Sequence, residues 1–219
     1  MNHSVDTGLL RYVKINYGLV RFLVQHPWEI RRLPRWFPQR RLSPLSMRVP
    51  WWPYDAVAWV AEQLPLGARV FEYGGGGSTL WLEDRGAIVT VVDHDDVWFR
   101  HLNEAVMAST RVMHRESSPT GKITSDVDPG FFDGYVAAIN SEFDDSLDLV
   151  VVDGRARVEC VRKAMRKVKP GGLLLLDDTD RRKYTPALVL LAKWERHVFV
   201  GLKPGDLFPA QTSVWRRPG

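Results

Sequence analysis

The chain has 219 residues, 45% of them apolar and 26% charged, a composition that suits one globular domain large enough to bury a core. Its one cysteine, Cys160, excludes an intrachain disulfide and the cysteine-based zinc patterns, and makes a reducing cytoplasm the expected setting. The net charge of +4 is uneven, because residues 1–60 carry nine Lys or Arg against Asp6, Glu29 and Asp55. Such a basic front suits nucleic acid, an anionic membrane surface or a phosphorylated substrate, and equally a plain solvated face.

In chain order, Leu9, Leu10, Val13, Tyr17, Val20 and Leu23 recur at helical spacing and predict an amphipathic helix. Arg11, Lys14 and Arg21 interrupt it, so neither a membrane span nor an export signal is expected. Six of the fourteen prolines then fall between Pro27 and Pro53, beside Trp28, Trp36, Trp51 and Trp52, which rules out one long helix. Residues 1–54 therefore read as a basic, Trp/Pro-rich arm serving as a lid or packing segment, and residues 55–219 as the main domain.

From Asp55, read as an N-cap, Val57, Val60, Ala61 and Leu64 form a helical stripe ending at Pro65. Apolar runs too short for helices follow at residues 69–73, 87–94, 111–114, 147–154 and 172–178. Helical patterns at 96–108 and 157–168 lie between them, and the Lys-Pro-Gly-Gly at 169–172 is expected to end the second. A last helix after Pro186 and strands at 197–202 and 212–217 complete the chain. The expected architecture is α/β: a doubly wound, mostly parallel seven-stranded sheet with helices on both faces, plus the N-terminal arm.

The run from Glu72 through Gly74, Gly75, Gly76 and Gly77 to Ser78 and Thr79 follows a strand and opens a helix, where glycines let a ligand approach the backbone. A dinucleotide fingerprint fails, since Thr79 and Leu80 stand where its third glycine belongs, and no Gly-Lys-Ser/Thr makes a P-loop. A carboxylate at Glu72 would repel a pyrophosphate but suits a ligand bearing an ammonium and a sulfonium, and S-adenosylmethionine carries both. Asp93, at the end of the second strand, is placed to accept from both ribose hydroxyls.

Taken together, "VFEYGGGGST", "TVVDHD", "LDLVVVDG" and "VKPGGLLLLDD" resemble, in order, the motifs of class I S-adenosylmethionine-dependent methyltransferases. "DGRAR" at 153–157 and the closing "TSVWRR" are similar to a bacterial subgroup with "EYGSGNST", "DGRxR" and "TSxxWR", although Gly76-Gly77 replaces its Gly-Asn. The resemblance implies that Glu72, Gly74, Gly76, Ser78, Thr79, Asp93 and Asp153 hold the cofactor. It also implies a polar residue at the adenine edge, with Glu116 and Ser117 as candidates.

Asp153 ends the fourth strand and Asp177 and Asp178 end the fifth, so three carboxylates should converge at the ligand-bearing edge. That suits Mg²⁺ or Mn²⁺, and the positions resemble the metal site of catechol-type O-methyltransferases, with Asp178 in place of their Asn. A bound cation would lower the pKa of an acceptor hydroxyl. The alternative is that these acids cap turns and that Asp153 or Asp180 acts as a plain general base. Ala156 stands where the catechol-type enzymes carry a lysine. Arg155, Arg157, Arg181 and Tyr184 flank the strand ends and are candidate substrate contacts, while His94 and His114 read as structural.

The first expectation is a metal-assisted O-methyltransferase of a saccharide or other small hydroxyl acceptor, with arm tryptophans stacking on a sugar face. Bacterial enzymes that methylate mycobacterial mannose polysaccharides are of this kind. A metal-independent RNA or protein methyltransferase is the second reading, disfavoured because no Asn-Pro-Pro-Tyr-like motif follows the fourth strand. A non-catalytic cofactor-binding protein is the third. Peripheral membrane contact and a homodimer stay open.

Overall fold

A computed structural model describes residues 17–40 and 42–219. Leu9, Leu10 and Val13 of the expected first helix lie outside the described residues, and its remainder is helical at 17–25 (α1). Proline does break the arm into short pieces: a 3₁₀ turn Pro27–Arg32, α2 (Leu33–Gln39) and α3 (Pro44–Met47). The domain follows as α4 (Tyr54–Gln63), β1 (Arg69–Tyr73), α5 (Gly77–Glu83), β2 (Ile88–Asp93), α6 (Asp96–Ala105), β3 (Arg111–His114) and α7 (Asp133–Ala137). It closes with β4 (Leu147–Val152), α8 (Arg157–Ala164), β5 (Val168–Leu176), α9 (Thr185–Leu190), β6 (Glu195–Gly201) and β7 (Ala210–Arg216).

The seven strands form one sheet in the order β3-β2-β1-β4-β5-β7-β6. Pairs among β1 to β5 are parallel, and β7 runs antiparallel between β5 and β6. Alternate residues of each central strand serve opposite cores, as the two-residue strand period requires. Tyr73, Val150, Val152, Leu174 and Leu176 pack with Val161, Ala164, Ala187 and Leu191 on one face. Val70, Val91, Leu149, Val151, Leu173 and Leu175 pack with Val60, Leu82 and Leu102 on the other.

The arm is tied into this body. Its Trp52 is buried in the second core beside Trp81, and Trp36 packs with Phe22, Tyr54 and Leu202. Buried Glu29 accepts the Leu202 amide at 3.0 Å and Arg32 Nε at 3.2 Å, while the Tyr54 amide donates to the Leu202 carbonyl at 3.2 Å. The expected boundary at 54/55 thus falls at the first turn of α4, where Asp55 pairs with Arg32 instead of capping.

The junction of α8 and β5 differs from expectation. Helix α8 ends at Ala164, and the Lys-Pro-Gly-Gly run lies inside β5. There Gly171, at φ +76°, forms an irregularity in the pairing with β4, and Arg217 completes the backbone bonds on both sides of it. A bulge can use proline and glycine as well as a turn can. Among the described residues no helix is long and apolar enough to cross a membrane.

Candidate active site

The carboxyl ends of β1, β2, β4 and β5 meet one another along one edge. At β1 the chain leaves Tyr73 through Gly74 (φ +84°), whose amide donates to the Val92 carbonyl at 2.9 Å. A Cβ on Gly74 would stand 2.7 Å from the Gly154 Cα, so the β1 and β4 loops touch backbone to backbone. At Gly77 a Cβ would stand 2.5 Å from the Val49 carbonyl oxygen and 2.6 Å from that of Pro44, so the arm lies directly on this loop.

Glu72 lies under the loop, fully buried, and accepts the hydroxyls of Ser78 and Thr79. Burial pushes its carboxyl up to about 8, although both hydroxyls pull the other way. Thr79 Oγ1 also accepts the Gly76 amide at 3.0 Å, which fixes the turn, and the Trp98 indole donates to the Gly75 carbonyl at 2.8 Å. A cavity of about 220 Å³ lies over the loop, lined by Pro44, Trp51, Gly74 to Ser78, Trp98 and Asp153.

Asp93 ends β2, buried, with both turn amides of His94 (2.7 Å) and Asp95 (3.0 Å) on Oδ1. His94 bridges acids, with Nδ1 3.4 Å from Asp93 and Nε2 3.2 Å from Asp128, a structural placement. Glu116 and Ser117 are exposed beyond β3 and do not line the loop cavity. Glu116 instead faces His114 at 3.9 Å.

A second cavity, of about 290 Å³, adjoins at the ends of β4 and β5, and Trp51, Asp153, Asp177, Asp178, Tyr184 and Lys203 are among its walls. Asp153 and Trp51 line both cavities. Arg155, Arg157 and Arg181 also line the second one, but each is engaged. Arg155 pairs with Asp128, and Arg181 with Asp178 at 2.9 Å. Arg157 is buried and spends its donors on the carbonyls of Asp153, Gly154 and Asp177 and on the carboxylates of Asp153 (2.9 Å) and Asp178 (3.4 Å). It is a brace between two strand ends and not the substrate contact that the sequence suggested. Asp180 is exposed on the following turn and lines neither cavity, because Asp178 takes a left-handed conformation (φ +58°) and turns the chain away. It is not placed to act as the base.

Asp153, Asp177 and Asp178 all line the second cavity, yet they do not fit a divalent cation. Asp177 accepts the Thr212 hydroxyl on Oδ1 and faces Lys203 Nζ at 3.4 Å on Oδ2. Asp178 faces Lys203 at 3.6 Å on Oδ1 and both Arg157 and Arg181 on Oδ2. A cation there would stand against two buried positive groups, which is unfavourable at short range. Among the described residues, ligand atoms that converge within 4.8 Å of one another belong to Asp96, His114 and Glu116, not to this trio.

Burial, and next the charge of Asp177, pushes the Asp153 carboxyl up to about 7, with Arg157 opposing. Burial also raises Asp177. Burial alone would lower Lys203, but Asp177, Asp178 and Asp153 together hold it above the ordinary lysine range. Lys203 escaped the sequence reading, because "LKPGD" looks like a solvated turn. Trp51 was among the arm tryptophans expected at the acceptor, whereas Trp98 and Pro44 were visible only as helix and arm residues.

Neither a family model nor a curated protein matches this chain. Solved structures do match in fold. A precorrin-6y C5,15-methyltransferase from Geobacter metallireducens superposes with a TM-score of 0.51 at 13% identity, covering 74% of this chain and 86% of that one. The chain has the class I methyltransferase fold. A methyltransferase from Pyrococcus furiosus gives 0.50 at 15% identity, covering 76% and 83%. At these identities the likeness carries the seven-stranded Rossmann-like architecture and not the acceptor.

Proposed function

We propose that this chain is an S-adenosylmethionine-dependent methyltransferase acting on a small hydroxyl compound, saccharides included. The observation that carries the reading is that Asp153 and Trp51 are shared by the glycine-loop cavity and the second cavity. A cofactor in the first and an acceptor in the second would meet at Asp153.

In this reading the Gly74–Gly77 backbone accommodates the amino-acid end of the cofactor, and Glu72 supplies negative potential beneath its ammonium. Asp93 keeps Oδ2 for the ribose, since the turn amides occupy Oδ1. When bound, the cofactor supplies an electrophilic methyl: the acceptor oxygen bonds to that carbon as the carbon–sulfur bond breaks, its electron pair staying on sulfur. Asp153 takes the hydroxyl proton, a role suited by a carboxyl poised near neutrality. Trp51 offers an indole plate to a sugar face, and the cavity holds one ring-sized acceptor better than a polymer.

Titration calorimetry with S-adenosylhomocysteine tests the cofactor half. Binding in the micromolar range is expected, weakened in Asp93→Asn. Absence of binding in the wild-type protein would remove the reading altogether.

A further inference from the structure

We propose that the Lys203 ammonium occupies the place of a divalent cation in this site, so that the acceptor oxygen is held by a lysine and no metal is recruited. The inference deepens the methyltransferase reading, because it takes the second cavity as the acceptor cavity.

Lys203 stands in the β6–β7 loop. β7 runs back antiparallel between β5 and β6, so this loop returns to the carboxyl edge where β4 and β5 end. The side chain is 7% exposed, and a buried ammonium persists only where carboxylates compensate it. Here Nζ lies 3.4 Å from Asp177, 3.6 Å from Asp178 and 3.6 Å from Asp206. A charge-assisted bond to a single acid is about 2.7–2.9 Å long. The ammonium is therefore shared among several acids at longer range, as a cation at the centre of a carboxylate cage is, and it lines the cavity.

Charge count points the same way. Asp153, Asp177 and Asp178 face the buried cations Arg157 and Lys203, which leaves about one negative charge for the group that takes the proton. A divalent ion would overcompensate the cluster, whereas a lysine leaves Asp153 basic. The N–H of Lys203 can donate to an oxygen as that oxygen loses its proton, the service a metal would otherwise give. An N–H donor beside a carboxylate that can take a proton fits an alcohol or polyol acceptor.

The test uses the full chain and Mn²⁺ alone, followed by electron paramagnetic resonance and calorimetry. Wild-type protein should show no Asp177-dependent site tighter than about 1 mM, whereas Lys203→Met, with the ammonium gone and the acids intact, should gain one at least about tenfold tighter. Adding Asp177→Asn to Lys203→Met should abolish that gain. Stoichiometric micromolar Mn²⁺ binding by the wild type, lost in Asp177→Asn, would overturn the proposal, and so would a folded Lys203→Met that gains nothing. Calorimetry with S-adenosylhomocysteine runs alongside as the check of fold. If Lys203→Met does not fold, Lys203→Gln takes its place, and the wild-type titration still decides whether a metal is recruited. A wild type that ignores S-adenosylhomocysteine while Lys203→Met gains Mn²⁺ would sink the cofactor reading and leave the lysine assignment standing.

Discussion

Gly74 and Gly154 face each other across the β1 and β4 loops so closely that a methyl group on Gly74 would stand 2.7 Å from the Gly154 Cα. A Cβ at 154 would itself stand 1.9 Å from the hydroxyl of Tyr135, which is buried without a hydrogen-bond partner, and 3.1 Å from the Gly74 amide nitrogen. Gly154→Ala therefore has to move either a buried tyrosine or the glycine loop. Overpacking of this kind costs about 1–3 kcal/mol, roughly 2–12 °C in Tm for a chain of this size. S-adenosylhomocysteine affinity should fall as well. A thermal melt and a calorimetric titration of the variant check both, and an unchanged Tm would show that the two loops do not bear on each other.

The strands were readable because burial on both faces writes them as unbroken Val/Leu runs, as at Leu149 to Val152 and Leu173 to Leu176. The carboxyl-edge positions of Glu72 and Asp93 were readable, the first from the glycine run that follows it and the second from the end of its strand. Lys203 was not, since its burial depends on an antiparallel strand inserting between β5 and β6, an event remote from its own neighbours. Asp180 was over-read for the opposite reason. Nearness in sequence to Asp177 and Asp178 says nothing of direction once Asp178 turns left-handed. Likewise the buried Arg157 looked like a free substrate contact until its donors were placed on the two strand ends.

Glu72 makes a pH-dependent contribution whose sign is fixed by its environment. Burial raises its carboxyl to about 8 from 4.5, so between those values the folded chain keeps a proton that the unfolded chain releases. Its contribution to stability is fully present below about 4.5 and is lost as pH rises through 8. Glu72→Gln, neutral at every pH, should flatten that part of the profile and be the more stable protein at pH 8, by at least about 1 kcal/mol. Denaturant titrations of both proteins from pH 5 to 8.5 measure it. A cationic cofactor favours ionised Glu72, so wild-type binding should release protons, seen as a dependence of the calorimetric heat on the buffer.

Glu29 holds the arm on the sheet through the Leu202 amide, at 3.0 Å, in a fully buried place. Glu29→Ala leaves that amide without its acceptor, which costs about 1–3 kcal/mol, whereas Glu29→Gln keeps an acceptor and should cost less. Chemical denaturation ranks the three proteins. Equal stability of the Ala and Gln variants would show that the amide contact carries nothing.

Asp153 brings stability and activity into opposition. Its carboxyl is raised to about 7 from 3.8, by burial first and by Asp177 next, so its stabilising contribution is complete below about 3.8 and declines as pH rises through 7. A general base works in the opposite sense, because only the ionised carboxylate accepts the acceptor's proton. With a hydroxyl acceptor found by screening for transfer of a labelled methyl group, kcat/KM should rise about tenfold per pH unit below 7 and level off above it. Asp153→Asn should lower kcat by about 10²–10⁴ and erase the rise, while cofactor affinity changes far less. Arg157, which pairs with Asp153 at 2.9 Å, keeps that carboxyl from rising further, so Arg157→Met in a folded variant should move the inflection to higher pH. A rate profile that bends near pH 4 and is indifferent to both substitutions would remove Asp153 from proton transfer and leave it a loop residue between the two cavities.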